Sequence, residues 1–226
     1  MKIVRGGRLS LLLGACLMAN TSMAQEGDVA RGEAASATCV ACHQANGGGM
    51  NIPGGESWPR LAGLNADYIA KQLHDFKSGE RQNATMMTFA NMLNDQQIAD
   101  VAVYYSQLPA TPGQGGDNAD EALLARGQRL AERGDWNAYI VSCQSCHGPG
   151  GRGVGEAFPG IAGQHAGYIS AQLNAWKNDS RSNDPQNLMG AIAKRMSEED
   201  IQAVSAWYAT QPAAEGRPHN EHCPSP

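Results

Sequence analysis

The chain has 226 residues, 42% of them hydrophobic and only 6% aromatic, with 27 glycines and a formal net charge of −5. That length allows one or two domains, and the composition excludes a disordered, collagen-like or coiled-coil chain. An acidic chain lacks the basic patches that nucleic acid demands, and small aromatic-poor domains bury little apolar surface unless a bulky apolar group joins the core.

The first element is an export signal. Lys2, Arg5 and Arg8 form a positive start, Leu9 to Ala19 a short apolar stretch, and Ser22-Met23-Ala24 the small residues of a cleavage site, which places the cut after Ala24. The apolar stretch is too short to span a bilayer. Lipidation at Cys16, in Leu13-Gly14-Ala15-Cys16, is the alternative; it is disfavoured because Arg8 lies only eight residues before that cysteine. Cleavage leaves 14 basic against 22 acidic residues, a net charge of −8. Such a surface suits partners of complementary charge.

Residues 28–38 carry apolar and small side chains at helical spacing and lead into Cys39-Val-Ala-Cys42-His43. A glycine-rich loop, 47–55, follows. Tyr68, Ile69, Gln72, Leu73 and Phe76 fit a second helix, and Asn94-Asp95-Gln96-Gln97 starts a third that carries Ile98, Val101, Ala102 and Tyr105. Pro109, Pro112, Gly113, Gly115 and Gly116 mark a linker. The pattern then repeats: a helix over 119–131, Cys143-Gln-Ser-Cys146-His147, a glycine-rich loop over 148–155, a helix through Tyr168, Ile169, Leu173 and Trp176, and a helix started by Ser197 with Asp200 three residues on, close to a capping box. No segment alternates as a strand. The expected fold class is all-α, with a signal over 1–24, one domain over 25–108, a linker over 109–119, a second domain over 120–212 and an irregular tail over 213–226.

The halves are copies. The two cysteine motifs lie 104 residues apart. Ala62-Gly63 and Ala162-Gly163, Tyr68-Ile69 and Tyr168-Ile169, Gln72-Leu73 and Gln172-Leu173, Lys77 and Lys177, and Arg81 and Arg181 are 100 apart; Ile98 and Ile201, and Tyr104-Tyr105 and Trp207-Tyr208, are 103 apart. Offsets that drift only in loops mark a duplicated fold.

Cys-x-x-Cys-His is the attachment signal for haem c. Two thiols on one turn add to the two vinyl groups at one edge of the porphyrin, and the adjacent His reaches the iron from that side. Cys39, Cys42, Cys143 and Cys146 are therefore expected to bind two haems, with His43 and His147 as axial ligands. Zinc or disulfides are the alternatives for the cysteines, but a structural zinc site draws four ligands from one neighbourhood, and these pairs lie in separate repeats. A second axial ligand is a Met in many such proteins. The register pairs Met86 with Met189, and Met87 is the competitor for the first iron. Met92 and Met196, just before the third helix of each copy, read as core. The carbonyls of Pro59 and Pro159 are candidate acceptors for the second ring nitrogen of each His. Arg81 and Arg181 are candidates for the haem propionates, although an exposed Arg usually has no such job. His74 and His165 read as ordinary surface or packing residues, and His219, His222 and Cys223 as a solvated tail that a metal is not expected to organise.

These residues resemble the cytochrome c4 family of di-haem class I cytochromes c. The resemblance covers about residues 27–211 and rests on both Cys-x-x-Cys-His motifs, Pro59-Arg-Leu-Ala-Gly63 and Pro159-Gly-Ile-Ala-Gly163, the Tyr–Gln-Leu helices, and a Met eight residues before Asn94 and Ser197. It implies two tandem class I cytochrome c domains packed together, axial pairs His43–Met86 and His147–Met189, a periplasmic location, and electron transfer towards terminal oxidases. The longer loop over 47–55 and the tail ending near Cys223 depart from the family pattern.

An iron held by His and Met has no open position for substrate chemistry, and no other catalytic set is visible. The expected protein is an electron carrier and not an enzyme, moving single electrons between a respiratory-chain donor and a terminal oxidase, with peripheral membrane association as its closest approach to lipid. The alternatives are a bound electron-transfer subunit of a dehydrogenase or oxidase and, behind it, a di-haem enzyme such as a peroxidase or thiosulfate dehydrogenase.

Overall fold

The computed structural model describes residues 26–213. The signal-peptide reading and the positions of Cys16, His219, His222 and Cys223 lie outside them.

The described residues hold ten α-helices joined by loops and short 3-10 turns, with no strand among them. The first copy has α1 (Val29–Ala35), α2 (Val40–His43), α3 (Ala66–Ser78), α4 (Ala84–Asn91) and α5 (Asp95–Gln107). The second has α6 (Glu121–Arg133), α7 (Gln144–His147), α8 (Ala166–Lys177), α9 (Leu188–Ala193) and α10 (Glu198–Thr210). The all-α expectation is met.

Local chemistry sets the boundaries. Asn94 and Gln97 form a capping box at the start of α5, and Ser197 and Asp200 do the same for α10. Both helices end one residue before a Leu-Pro or Gln-Pro pair, where the following proline forbids a further turn. Asn65 caps α3, which stops at Gly79 in the left-handed conformation, φ 84°.

In each copy the first helix crosses the last: α1 packs on α5 and α6 on α10. Glycine permits the approach. A Cβ on Gly32 would lie 2.1 Å from the Asp100 carbonyl oxygen, and one on Gly127 2.2 Å from that of Ala203. These glycines hold matching places, since Asp100 and Ala203 are 103 apart, like the other late repeat pairs. Apolar side chains from the crossing helices and from α3 or α8 close one core per copy. Ile69, Leu73, Ile98, Val101 and Tyr105 anchor the first; Ile169, Leu173, Ile201, Val204 and Tyr208 anchor the second.

Two features differ from the sequence reading. Each copy has an additional short helix, α4 or α9, before its last helix, and these carry Met86 and Met189. Met92, read as core, is 65% exposed, whereas Met196 is buried as expected. Met92 caps the end of α4 and turns outward there; Met196 lies under α10.

Candidate functional site

Both cysteine motifs form a single helical turn. His43 N–H donates to the Cys39 carbonyl at 2.9 Å, and His147 N–H to that of Cys143 at 2.9 Å. The turn puts the two thiols and the ring on one side. The chain then doubles back: Gly49 N–H donates to the His43 carbonyl at 3.0 Å and Gly153 N–H to that of His147 at 2.7 Å. Both glycines have positive φ, 67° and 90°, and a Cβ on Gly49 would sit 2.4 Å from the Pro59 carbonyl oxygen. The close approach delivers the proline carbonyl to the imidazole. His43 Nδ1 lies 2.9 Å from Pro59 O, and His147 Nδ1 lies 2.8 Å from Pro159 O. A carbonyl only accepts, so both rings carry the proton on Nδ1 and leave Nε2 free to ligate.

Both rings are buried, which pushes their pKa below the ordinary histidine value against the pull of the proline carbonyls. Burial also raises the thiols of Cys39 and Cys143, the latter to about 11. The four cysteines are unpaired. Among the described residues no three His, Cys, Asp or Glu side chains converge as a metal cluster.

A cavity of about 690 Å³ runs between the two motifs and reaches both copies. Cys39, Cys42, His43, Cys143, Cys146 and His147 line it, with apolar walls from Leu64, Ile69, Leu73, Ile169, Leu173 and Val204. Met86, Met87, Met189 and Met196 line it too; Met92 does not. Four polar atoms on side chains of its wall are buried without a hydrogen-bond partner: the hydroxyls of Tyr105 and Tyr208, Trp176 Nε1 and Asp184 Oδ1. The two hydroxyls and the indole N–H are donors, the carboxylate oxygen an acceptor, and buried polar atoms of either kind are costly in an apolar cavity unless a ligand meets them. An amphiphilic ring with acidic substituents meets both needs, so the residues present fit haem c.

Met86 and Met189 share a backbone contact that Met87 lacks. Met86 N–H donates to Asn83 Oδ1 at 2.9 Å, and Met189 N–H donates to Asp184 Oδ2 at 2.7 Å. Met87 N–H instead bonds the Asn83 backbone carbonyl as an ordinary helical group. The local structure pairs Met86 with Met189, as the repeat register does.

Arg81 and Arg181 are not exposed, as the sequence reading had them; each is 7% exposed and lies where the copies meet. Arg81 donates to Gln72 Oε1 at 2.9 Å and Gln172 Oε1 at 2.8 Å, and Arg181 donates to Gln172 Oε1 at 2.7 Å and Gln72 Oε1 at 3.1 Å. Neither pairs with a carboxylate among the described residues. Arg81 stacks on Phe76 and Arg181 on Trp176, and all four side chains line the cavity. Two buried cations that share neutral acceptors line the cavity and would suit a ligand with acidic substituents.

His165 is a packing residue, as expected, but a fully buried one. Its Nε2 lies 2.8 Å from the Gly48 carbonyl oxygen, and its Nδ1 accepts from Gln114 N–H at 3.2 Å. Sequence reasoning missed Arg60 and Gln164, which bond each other across the same junction. Neither carries a repeat signal, because the matching positions are Gly160 and Leu64.

The comparisons agree with this geometry. The cytochrome c family model matches twice, over residues 29–109 and 124–211. The chain is 48% identical to a protein of Thiomonas intermedia named thiosulfate dehydrogenase electron acceptor, over 78% of this chain and 80% of that one. It is 40% identical to cytochrome c4 of Thiocapsa roseopersicina, over 81% and 92%. Reduced recombinant cytochrome c4 from Pseudomonas stutzeri superposes with a TM-score of 0.74 at 32% identity, covering 82% of this chain and all of that one. Thiosulfate dehydrogenase from Marichromatium purpuratum gives the same TM-score at 38% identity, over 81% of this chain and 40% of that one. Two motif-bearing helical copies around one cavity, matched twice by one family model, make this chain a member of the cytochrome c family: a relative of cytochrome c4 that carries two covalent haem c groups and transfers electrons.

Proposed function

We propose that this protein is the periplasmic electron acceptor of a thiosulfate-oxidising dehydrogenase, and that it passes single electrons on towards a terminal oxidase. The support is the relative in Thiomonas intermedia, which bears that role in its name and shares nearly half its residues over four fifths of its length. A second relative of the same name, from Stutzerimonas stutzeri, is 46% identical over 79% of its length. No helix among the described residues is long and apolar enough to cross a membrane.

In this reading the chain holds its haems through its own side chains. Cys39 and Cys42 anchor the first porphyrin edge, Cys143 and Cys146 the second. His43 with Met86, and His147 with Met189, are the axial pairs, the histidines oriented by Pro59 and Pro159. Bound, haem c supplies a one-electron iron couple. With a His and a Met offered to each iron, the chain would leave thiosulfate no open position, so in this reading the oxidation belongs to the partner and this chain takes the electrons. The buried guanidinia of Arg81 and Arg181 would take up the acidic substituents of the haems at the junction of the copies. Domain boundaries at 25–108 and 120–212, with residues 109–119 between them, follow from the same assignment.

The observation that carries the electron-transfer reading is the matched pair of buried imidazoles, each tied by Nδ1 to a proline carbonyl at the wall of one shared cavity. The test mixes the oxidised di-haem protein with a thiosulfate dehydrogenase and thiosulfate and follows haem reduction. Rapid reduction only when enzyme and thiosulfate are both present supports the proposal. Reduction by thiosulfate alone makes the chain an enzyme, and no reduction with either removes this partner.

A further inference from the structure

The duplication is broken at the junction of the two copies. Arg60 is 1% exposed and Gln164 4% exposed, and their counterparts, Gly160 and Leu64, have no polar side chain. Gln164 lays its carboxamide along the Arg60 backbone. Arg60 N–H donates to Gln164 Oε1 at 2.8 Å, and Gln164 Nε2 donates to Arg60 O at 2.9 Å. The Arg60 guanidinium closes the clamp, donating to the carbonyls of Ala62, Ala162 and Gly163.

The peptide unit between Pro59 and Arg60 therefore does two things. Its carbonyl accepts from His43 Nδ1, and its N–H donates to Gln164 of the other copy. Amide resonance links the two ends: an N–H engaged in a hydrogen bond shifts electron density onto the carbonyl oxygen. That oxygen then accepts more strongly, in the way successive hydrogen bonds reinforce one another. A stronger bond at Nδ1 makes His43 Nε2 the more electron-rich donor. The matching peptide in the second copy accepts from His147 at 2.8 Å, but Leu64 stands where Gln164 would be and offers its N–H no acceptor.

We propose that Gln164 is a positioning residue through which the C-terminal copy lowers the reduction potential of the haem in the N-terminal copy, with no reciprocal effect on the other haem. The sign follows because a more electron-rich imidazole stabilises the ferric state. The inference rests on His43 being the axial ligand of the first haem, as proposed above.

The test is Gln164→Met in the holoprotein, a swap of similar volume that removes all three hydrogen bonds of the carboxamide, to the N–H and carbonyl of Arg60 and to the His165 N–H. Two quantities are read: the ring Nδ1–H resonances of His43 and His147 in the reduced protein labelled with 15N-histidine, and the two haem potentials, assigned by their haem-methyl signals. The expected result is an upfield move of the His43 ring proton, an unmoved His147, and a rise in the first haem's potential alone. Arg60→Met loosens the same junction while keeping the backbone bonds to Gln164, and it leaves the His43 proton in place. Where Gln164→Met fails to retain both haems, Gln164→Asn, too short to span the Arg60 backbone, gives the same shift. An unmoved His43 proton, or an equal shift at both haems, overturns the proposal. A His43 ring that lacks ring-current-shifted signals of a bound imidazole in the unsubstituted protein overturns the ligand assignment instead, whatever the variant does.

Discussion

Arg81 and Gln172 meet across the junction of the copies at 2.8 Å, and Arg181 reaches Gln72 the other way at 3.1 Å, so each glutamine oxygen bridges two guanidinia. Burial and the neighbouring charge of Arg81 push the Arg181 pKa down, but a guanidinium starts far above neutrality and stays charged. Two cations beside the haem cavity favour the reduced, less positive irons. Arg81→Met and Arg181→Met are each expected to lower the haem potentials, the double variant more than either. Redox titration checks this. Potentials that stay where they were would mean that the propionates lie elsewhere.

The methionine assignment has its own test. Met86→Leu and Met189→Leu should each remove half of the weak red-edge band that thioether sulfur gives to ferric haem, and each should lower one potential. Met87→Leu should leave the band intact. Loss of the band in Met87→Leu, with Met86→Leu silent, would shift the first ligand by one residue and break the match between Asn83 and Asp184.

His165 couples the junction to pH. Burial lowers its pKa from the ordinary 6.5, and the neutral ring is the form that accepts from Gln114 N–H at Nδ1. A depressed histidine pKa gives stability that is complete above about 6.5 and is lost as pH falls through the folded value. Thermal melts of the holoprotein should therefore fall between pH 7 and 5 by more than those of His165→Asn. Asparagine is the residue at the matching position 65, where it caps α3. Parallel pH profiles for the two proteins would remove His165 as the sensor.

Much of this site was legible in the chain because it is written twice. The cysteine motifs, the paired Met86 and Met189, the prolines at 59 and 159 and both capping boxes all stand in register, and a pattern that recurs points past chance. What stayed hidden is what the copies do not share. Arg60, Gln164 and His165 lie opposite Gly160, Leu64 and Asn65, and only the packing of one copy on the other gives them partners. Arg81 and Arg181 were visible as a pair, but their burial was not: a charged side chain reads as exposed until the neighbour that covers it is known. The short helices α4 and α9 escaped because six to eight residues carry only about two periods of pattern.

Acid should loosen the N-terminal crossing. Arg31 donates to both oxygens of Asp100, at 2.8 and 2.9 Å, and the Asp28 N–H adds a third bond at 2.7 Å. The Arg31 hydrogen bond, with those from Asp28 and Gln96, holds the Asp100 carboxyl down at about 2. A depressed carboxylate pKa gives stability that is present above the ordinary 3.8 and is lost as pH falls to about 2. Arg31 is half exposed to solvent, which screens the pair, so Asp100→Asn should cost roughly 1–2 kcal/mol at neutral pH. Denaturant titrations at pH 7 and near pH 2.5 check it: the gap to the unsubstituted protein should narrow at the lower pH. A gap that persists there would assign the loss to packing and not to charge.

The two helix crossings make the sharpest structural prediction. At Gly32 and Gly127 the space for a side chain is already filled by backbone, the Asp100 and Ala203 carbonyls lying 2.1 and 2.2 Å from where a Cβ would go. Overpacking a core typically costs about 1–3 kcal/mol, and a flexible side chain relieves part of that by moving. A helical carbonyl has no such freedom without moving its whole helix. Gly32→Ala and Gly127→Ala should therefore each lose about 3 kcal/mol in denaturant unfolding, despite alanine's better helix propensity of about 1 kcal/mol. Because α5 and α10 also carry Tyr105 and Tyr208 to the cavity, the loss should appear in the haem spectrum of the matching copy and leave the other unchanged. Equal stability in either variant would show that the first helix of that copy shifts freely along the last, and that the glycine is there for another reason.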